Sequence, residues 1–143
     1  MPPLDSPQRI PPVTLTVLWG DMDAFQHVNN TVYLRWCESA RLIFFEHTGL
    51  IQTQKSTGIG PILASIQCRF RAPVLYPDTV SVHSTLTRMG TQDFELQHTI
   101  RSQQLQKIVA EVNERGVIFN YHAQQKADFP TEVAAAFHRY LTT

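Results

Sequence analysis

The chain has 143 residues, 43% of them apolar, 10% aromatic and 17% charged, with acidic and basic side chains balanced at a formal charge of zero. That length fits one domain able to bury about two thirds of its unfolded surface. Balanced charge offers no basic footprint for a nucleic acid, and no apolar run reaches the about 18 residues expected of a membrane span.

The opening stretch MPPLDSPQRIPP holds five of the nine prolines and lacks the apolar centre of a secretory signal. It reads as an extended, poorly ordered leader over residues 1–12, followed by a single domain over 13–143. In VTLTVLW, residues 13–19, Val13, Leu15, Val17 and Trp19 alternate onto one face, as in a half-buried strand. A polar segment follows, and then residues 31–48 read as a helix. There Tyr33, Trp36 or Cys37, Ala40 and Phe44 recur at helical spacing, and Gly49 supplies the stop. Leu34, Leu42, Ile43 and Phe45 widen the apolar stripe so far that the helix must be covered on several sides.

A loop with Gly58, Gly60 and Pro61 then gives way to strand alternation. Ile62, Ala64, Ile66, Cys68 and Phe70 share one face of the next strand, and the proline-marked APVLYPDT is a connection. Val80, Val82 and Leu86 alternate in TVSVHSTLTRM, and Met89-Gly90 turns the chain into a strand with Phe94, Leu96 and Ile100 in phase. Over 105–122 the apolar phase is even at Ile108, Ala110 and Val112 but odd at Val117, Phe119 and Tyr121, which predicts a β-bulge near Arg115-Gly116. Residues 131–140 read as a closing helix with Thr131 as its N-cap. One early apolar helix shared by about five strands, joined mostly as hairpins, makes the fold α+β: an antiparallel sheet curled around a long helix. The alternating pattern of a parallel α/β sheet is missing, and so is a GxGxxG phosphate loop.

Cys37 and Cys68 are the only cysteines, and neither has a CxxC neighbour. The six histidines (His27, His47, His83, His98, His122, His138) show no HxxxH or HExxH spacing. No metal, disulfide framework or redox cofactor is expected. Reduced thiols together with the lack of an export signal point to the cytoplasm.

The chemistry concentrates in WGDMDAFQHVNNTVYLRW, Trp19 to Trp36. Asn29 or Asn30 is placed to cap the helix, which leaves backbone N–H groups unsatisfied and a positive dipole end facing Asp21, Asp23 and His27. Such an end holds an anion or the oxygen of a polarised carbonyl, and it favours the ionised form of a carboxylate. An ordinary capped turn contains the same residue types.

This stretch resembles the signature of hotdog-fold acyl thioesterases of the 4-hydroxybenzoyl-CoA thioesterase type, in which a strand leads through Asp-x-Asp into a helix start. GPILASIQCRFRAPVLYPDTVSV is similar to the second and third strands of that family, joined by a Pro-x-x-x-x-Asp turn. The resemblance implies hydrolysis of an acyl-CoA thioester to free acid and CoA. It assigns the catalytic carboxylate to Asp23 and the carbonyl-polarising backbone N–H to Asn30. HVNN also resembles the plant acyl-ACP thioesterases, which implicates His27 beside Asp23, although Phe25 stands where those enzymes carry an asparagine. An acyl-ACP thioesterase and a non-catalytic acyl-thioester binder are the alternatives. Tyr33, Arg69 and Arg71 are candidate substrate contacts, the arginines because guanidinium forks suit the phosphates of CoA. No cofactor is implied beyond CoA as part of the substrate. The expected assembly is a homodimer or homotetramer with the site between subunits. Glu38 is expected to pair along the helix with Arg35 and Arg41, His98 to be a satisfied core or interface histidine, and Cys37 an inert core thiol.

Overall fold

The computed structural model describes residues 6–142. Its elements are β1 (Val13–Thr16), a single 3₁₀ turn (Trp19–Asp21), α1 (Asn30–Thr48), α2 (Leu50–Thr57), β2 (Ile59–Phe70), β3 (Thr79–Met89), β4 (Asp93–Ser102), β5 (Lys107–Asn120), β6 (Gln125–Lys126) and α3 (Thr131–His138). The strands form one antiparallel sheet in the order β1-β3-β4-β5-β2, with the two-residue β6 also paired to β5. This sheet curls around α1, the hotdog arrangement expected from one early helix and several long strands.

Both ends of α1 follow from single residues. Asn29 is the N-cap: its backbone is extended, and its side-chain oxygen accepts the Thr31 N–H at 2.9 Å. Gly49 closes the helix at φ +80°, a left-handed conformation that suits a residue without Cβ. The chain then restarts at once as α2, where a loop was expected. Only Leu50 of that segment is buried, so no apolar stripe marks it in the sequence.

Three other expectations are corrected. The first strand ends at Thr16 rather than Trp19: Val17 is buried, but Leu18 and Trp19 are 60% and 72% exposed. The cause is Asp21, whose carboxylate accepts the Leu18 N–H at 2.8 Å and folds the chain into the 3₁₀ turn. At the start of α3 the N-cap is Pro130, without a side-chain cap, and Thr131 is already helical. In β5 there is no phase switch at Arg115-Gly116. Ala110, Val112, Glu114, Gly116 and Ile118 all face inward; of the odd residues Val117 is buried as well, while Phe119 and Tyr121 are half-buried. The register shift against β4 lies earlier, where Val109 is passed over between Ile100↔Ala110 and Arg101↔Ile108. A second shift, in the β2·β5 ladder, passes over Ala64 between Leu63↔Gly116 and Ser65↔Arg115, so an irregularity does lie at Arg115-Gly116, with the extra residue on β2.

The inward phase of β5 is hard to see in sequence because two of its members are not apolar. Gly116 faces the core because the Phe94 ring fills the place of its side chain, with Cζ only 2.2 Å from where a Cβ would stand. Glu114 faces the core because it meets Arg41. Their ion pair is 2.7 Å long, with side chains 1% and 14% exposed. The other Glu114 oxygen lies 2.8 Å from Nε2 of the fully buried His98, whose Nδ1 is 2.7 Å from the Ser84 hydroxyl. His98 is thus a satisfied core histidine. Arg41, having turned inward, does not pair with Glu38. Arg35 approaches Asp21 at 3.8 Å, and Glu38 has no ion-pair partner among the described residues.

This polar belt divides the core. On one side Val32, Tyr33, Trp36, Cys37 and Ala40 of α1 pack against Val80, Val82, Ile100, Ala110 and Val112. On the other side Phe44 and Phe45 pack with Leu86, Phe94, Leu96, Ile118 and the Phe137 of α3. Ile10 joins the second group, and the Gln8 N–H donates to the Arg139 carbonyl. Part of the proline-rich leader is therefore docked on the domain. Removing one partner from a buried ion pair leaves the other charge uncompensated. Glu114→Ala is expected to cost about 3–5 kcal/mol, measured by urea unfolding. An unchanged midpoint would mean that Arg41 and His98 find other partners.

Candidate active site

The segment between β1 and α1 folds back on itself. Met22 and Val28 form an antiparallel bridge, and within it the Asp23 N–H donates to the His27 carbonyl at 3.0 Å. The Gln26 N–H donates to the Asp23 carbonyl at 2.9 Å, with Gln26 itself at φ +64°. Two further bonds pin this loop in place. The Asn29 N–H donates to the Asp21 carbonyl, and the Val28 N–H donates to the Val74 carbonyl in the β2–β3 connection. The connection is anchored in turn by the buried Asp78, whose carboxylate accepts the Thr79 and Gln104 N–H groups and the Ser102 hydroxyl.

Asp23 is half-buried. One carboxylate oxygen accepts the Phe25 N–H at 2.9 Å, and the other accepts the Asn29 side-chain amide at 3.1 Å. Asn29 therefore works with both ends of its amide. Its oxygen takes the Thr31 N–H and hydroxyl to cap α1, and its nitrogen holds Asp23 against the helix start. Asp21, by contrast, is buried and serves the 3₁₀ turn. Asn30, the first helical residue, is exposed, and its N–H belongs to the helix-end donors that have no intrahelical acceptor.

A shallow cavity of about 300 Å³ opens at this end of α1, lined by His27, Asn30, Tyr33, Phe70 and Arg71 together with Val28, Ala72 and Pro73. The structure thus brings together four of the six candidates. Asp23 lies beside this group, tied to it through Asn29, and is not on the cavity wall. Arg69 is exposed on β2 and also stands apart. Arg71 reaches the rim with its guanidinium bound to Glu111 at 2.5 and 3.0 Å, so an incoming phosphate must compete with that carboxylate. The Tyr33 hydroxyl accepts the Val74 N–H at 3.2 Å and lies 3.5 Å from the Ala72 carbonyl. Burial holds this phenol above its ordinary range, and its ring packs edge-on against Phe70. Tyr33 braces the β2–β3 connection and offers the cavity its ring.

Sequence reasoning placed Asn29 only as a possible cap and missed its hold on Asp23. The six-residue spacing from Asp23 to Asn29 carries no helical or strand period, so only the folded loop reveals the contact.

Taken together, a sheet wrapped around one helix, with a carboxylate and open N–H groups at the helix start, defines a hotdog protein. The chain belongs to the Thioesterase-like superfamily, whose sequence pattern matches residues 17–137. It is similar to the PA2801 protein of Pseudomonas aeruginosa, with 29% identity, a TM-score of 0.80 and coverage of 91% of this chain and 99% of that one. The long-chain acyl-CoA thioesterase FadM of Escherichia coli K12 is 27% identical over 90 residues, spanning 63% of this chain and 68% of FadM. The SAV2348 protein of Staphylococcus aureus, solved in complex with CoA, shares the fold at a TM-score of 0.85 with 12% identity, covering 94% of this chain and 84% of that one.

Cys37 lies within this helix but does not serve the site. It is fully buried, and burial pushes its thiol up to about 12. Only the thiolate reacts with thiol reagents. At pH 8 a disulfide reagent is therefore expected to modify Cys37 only after denaturation, which stopped-flow labelling with peptide mapping would read. Native labelling at Cys37 would refute the assignment.

Proposed function

We propose that the protein hydrolyses acyl-CoA thioesters in the manner of the 4-hydroxybenzoyl-CoA thioesterase type. The observation that carries this reading is Asp23, held by the Asn29 amide beside the open N-terminus of α1. The thioester carbonyl would lie over the cavity with its oxygen on the Asn30 N–H. There the helix dipole offsets the negative charge that builds up as the carbonyl becomes tetrahedral. Asp23 either attacks the carbonyl carbon, giving an acyl–aspartyl anhydride that water then cleaves, or takes a proton from the attacking water. In both routes the C–S bond breaks, the CoA thiolate leaves and takes up a proton, and one water is consumed. His27 on the cavity rim shapes the turn and contacts substrate. The long-chain thioesterase named among the relatives supports an acyl-CoA substrate, as does the CoA bound by SAV2348.

The second part of the proposal is a homodimer formed through β2. This strand is twelve residues long and ends the sheet on one side. It leaves Ile62, Leu63 and Phe70 40%, 41% and 50% exposed. An unprotected edge of that length invites pairing with a second copy. Antiparallel pairing of two β2 strands would lay the Ile59 end of one protomer beside the Phe70 end of its partner and cover the open side of each cavity. Sedimentation at micromolar concentration is expected to show at least a dimer. A monomer would remove this part of the proposal.

The catalytic assignment is tested by release of free thiol from a panel of acyl-CoA and acyl-ACP thioesters. Asp23→Asn or Asp23→Ala is expected to lower turnover by about 10²–10⁴. Asp21→Asn should remain folded and largely active, because the amide oxygen can still accept the Leu18 N–H. His27→Ala should raise KM more than it lowers kcat. An Asp23 variant within a few-fold of wild type would overturn the mechanism, and saturable binding without thiol release would identify a binder instead.

A further inference from the structure

A second cavity, of about 260 Å³, lies farther along the same α1–β2 side of the molecule. The two elements run in opposite senses along it: Tyr33 meets Phe70 at the first cavity, and Leu42 and Phe45 stand with Pro61, Ile62 and Leu63 around the second. The second wall is mainly apolar, but three charged residues, Glu38, Arg41 and Glu114, also line it. Glu114 is fully engaged, one oxygen bonded to Arg41 and the other to His98. Arg41 commits a single terminal nitrogen to that pair. No buried side-chain nitrogen among the described residues lacks a partner, so the remaining N–H groups of Arg41 are accessible, and Arg41 is one of the residues that line the cavity. Glu38, one helical turn before Arg41, has no partner of its own among the described residues.

The cavity therefore presents guanidinium N–H groups that Glu114 does not use and, at its exposed edge, the carboxylate of Glu38, beside an apolar wall. A ligand carboxylate would face both Glu38 and Glu114, and an ammonium would face Arg41. A hydroxyl satisfies both groups at once, accepting from Arg41 and donating to Glu38. Arg41 is eleven residues beyond Asn30, or about 16 Å along the helix. An extended chain advances roughly 1.2 Å per bond, so an acyl group of about a dozen carbons spans that distance. We propose that the Glu38–Arg41 cavity is the distal acyl subsite, selective for long acyl chains carrying a hydroxyl at the far end. This rests on the thioester reading of the Asn30 site and adds the substrate class to it.

The test compares dodecanoyl-CoA with its ω-hydroxy counterpart, both as substrates and as the uncleavable S-alkyl-CoA thioethers in calorimetry. The wild type is expected to favour the hydroxylated member by about tenfold in kcat/KM and in affinity, as one charge-assisted hydrogen bond allows. Glu38→Leu, at an exposed position, should bring that ratio to one or below. Arg41→Lys, which keeps a cation for Glu114, should reduce it in the same direction. A wild-type ratio near one, a ratio that survives Glu38→Leu, or failure of both thioethers to bind would each overturn the inference. Preferential binding of the hydroxylated thioether without cleavage of any thioester would sustain the subsite and remove the hydrolytic reading instead.

Discussion

A single arginine on the inner side of the longest helix sets terms for the whole molecule. A charge in a core is costly unless it is both paired and hydrogen-bonded, and Arg41 is answered by Glu114 at 2.7 Å. That carboxylate needs its second oxygen satisfied, which His98 does, and His98 in turn needs Ser84. The chain of dependence crosses three neighbouring strands. It also fixes their register, because a slip of β5 by one residue would turn Glu114 outward and leave Arg41 and His98 without partners. The apolar core accordingly forms as two groups, one on each side of the belt.

The N-terminal end of the same helix follows the opposite logic. Among the described residues no buried side-chain nitrogen or oxygen lacks a partner, whereas at Asn30 the helix ends at an open cavity with its N–H presented outward. The polar residues before it hold one another. Asp21 folds the 3₁₀ turn, and Asn29 caps the helix while restraining Asp23. The loop is fastened to the β2–β3 connection by Val28 and Val74, and Tyr33 fastens that connection back to the helix. The Asp23 carboxylate is thus fixed from two directions by backbone and side-chain bonds, the preorganisation that the proposed chemistry calls for.

The two edges of the sheet differ in a way that matters for assembly. β1 is an edge of only four residues, while β2 is an edge of twelve with large apolar side chains in solvent. Short edges are self-limiting, and long ones call for a cover. Both cavities along α1 open next to β2, so whatever covers that strand also encloses the space between helix and sheet.

Local patterning alone determined a good deal. The span of α1 with its Gly49 stop, the three long strands from 59 to 102 and the α+β wrapping were legible, because apolar periodicity and glycine conformation act over a few residues. The clustering of acid, imidazole and amide before the helix was legible for the same reason. Tertiary contacts decided the rest. The inward phase of β5 depends on Glu114 meeting an arginine 73 residues away and on the Phe94 ring standing over Gly116, neither of which leaves an apolar mark in the strand itself. The early end of β1, the diversion of Arg41 from Glu38 and the grip of Asn29 on Asp23 likewise follow from side chains that compete for partners only once the sheet has closed around the helix.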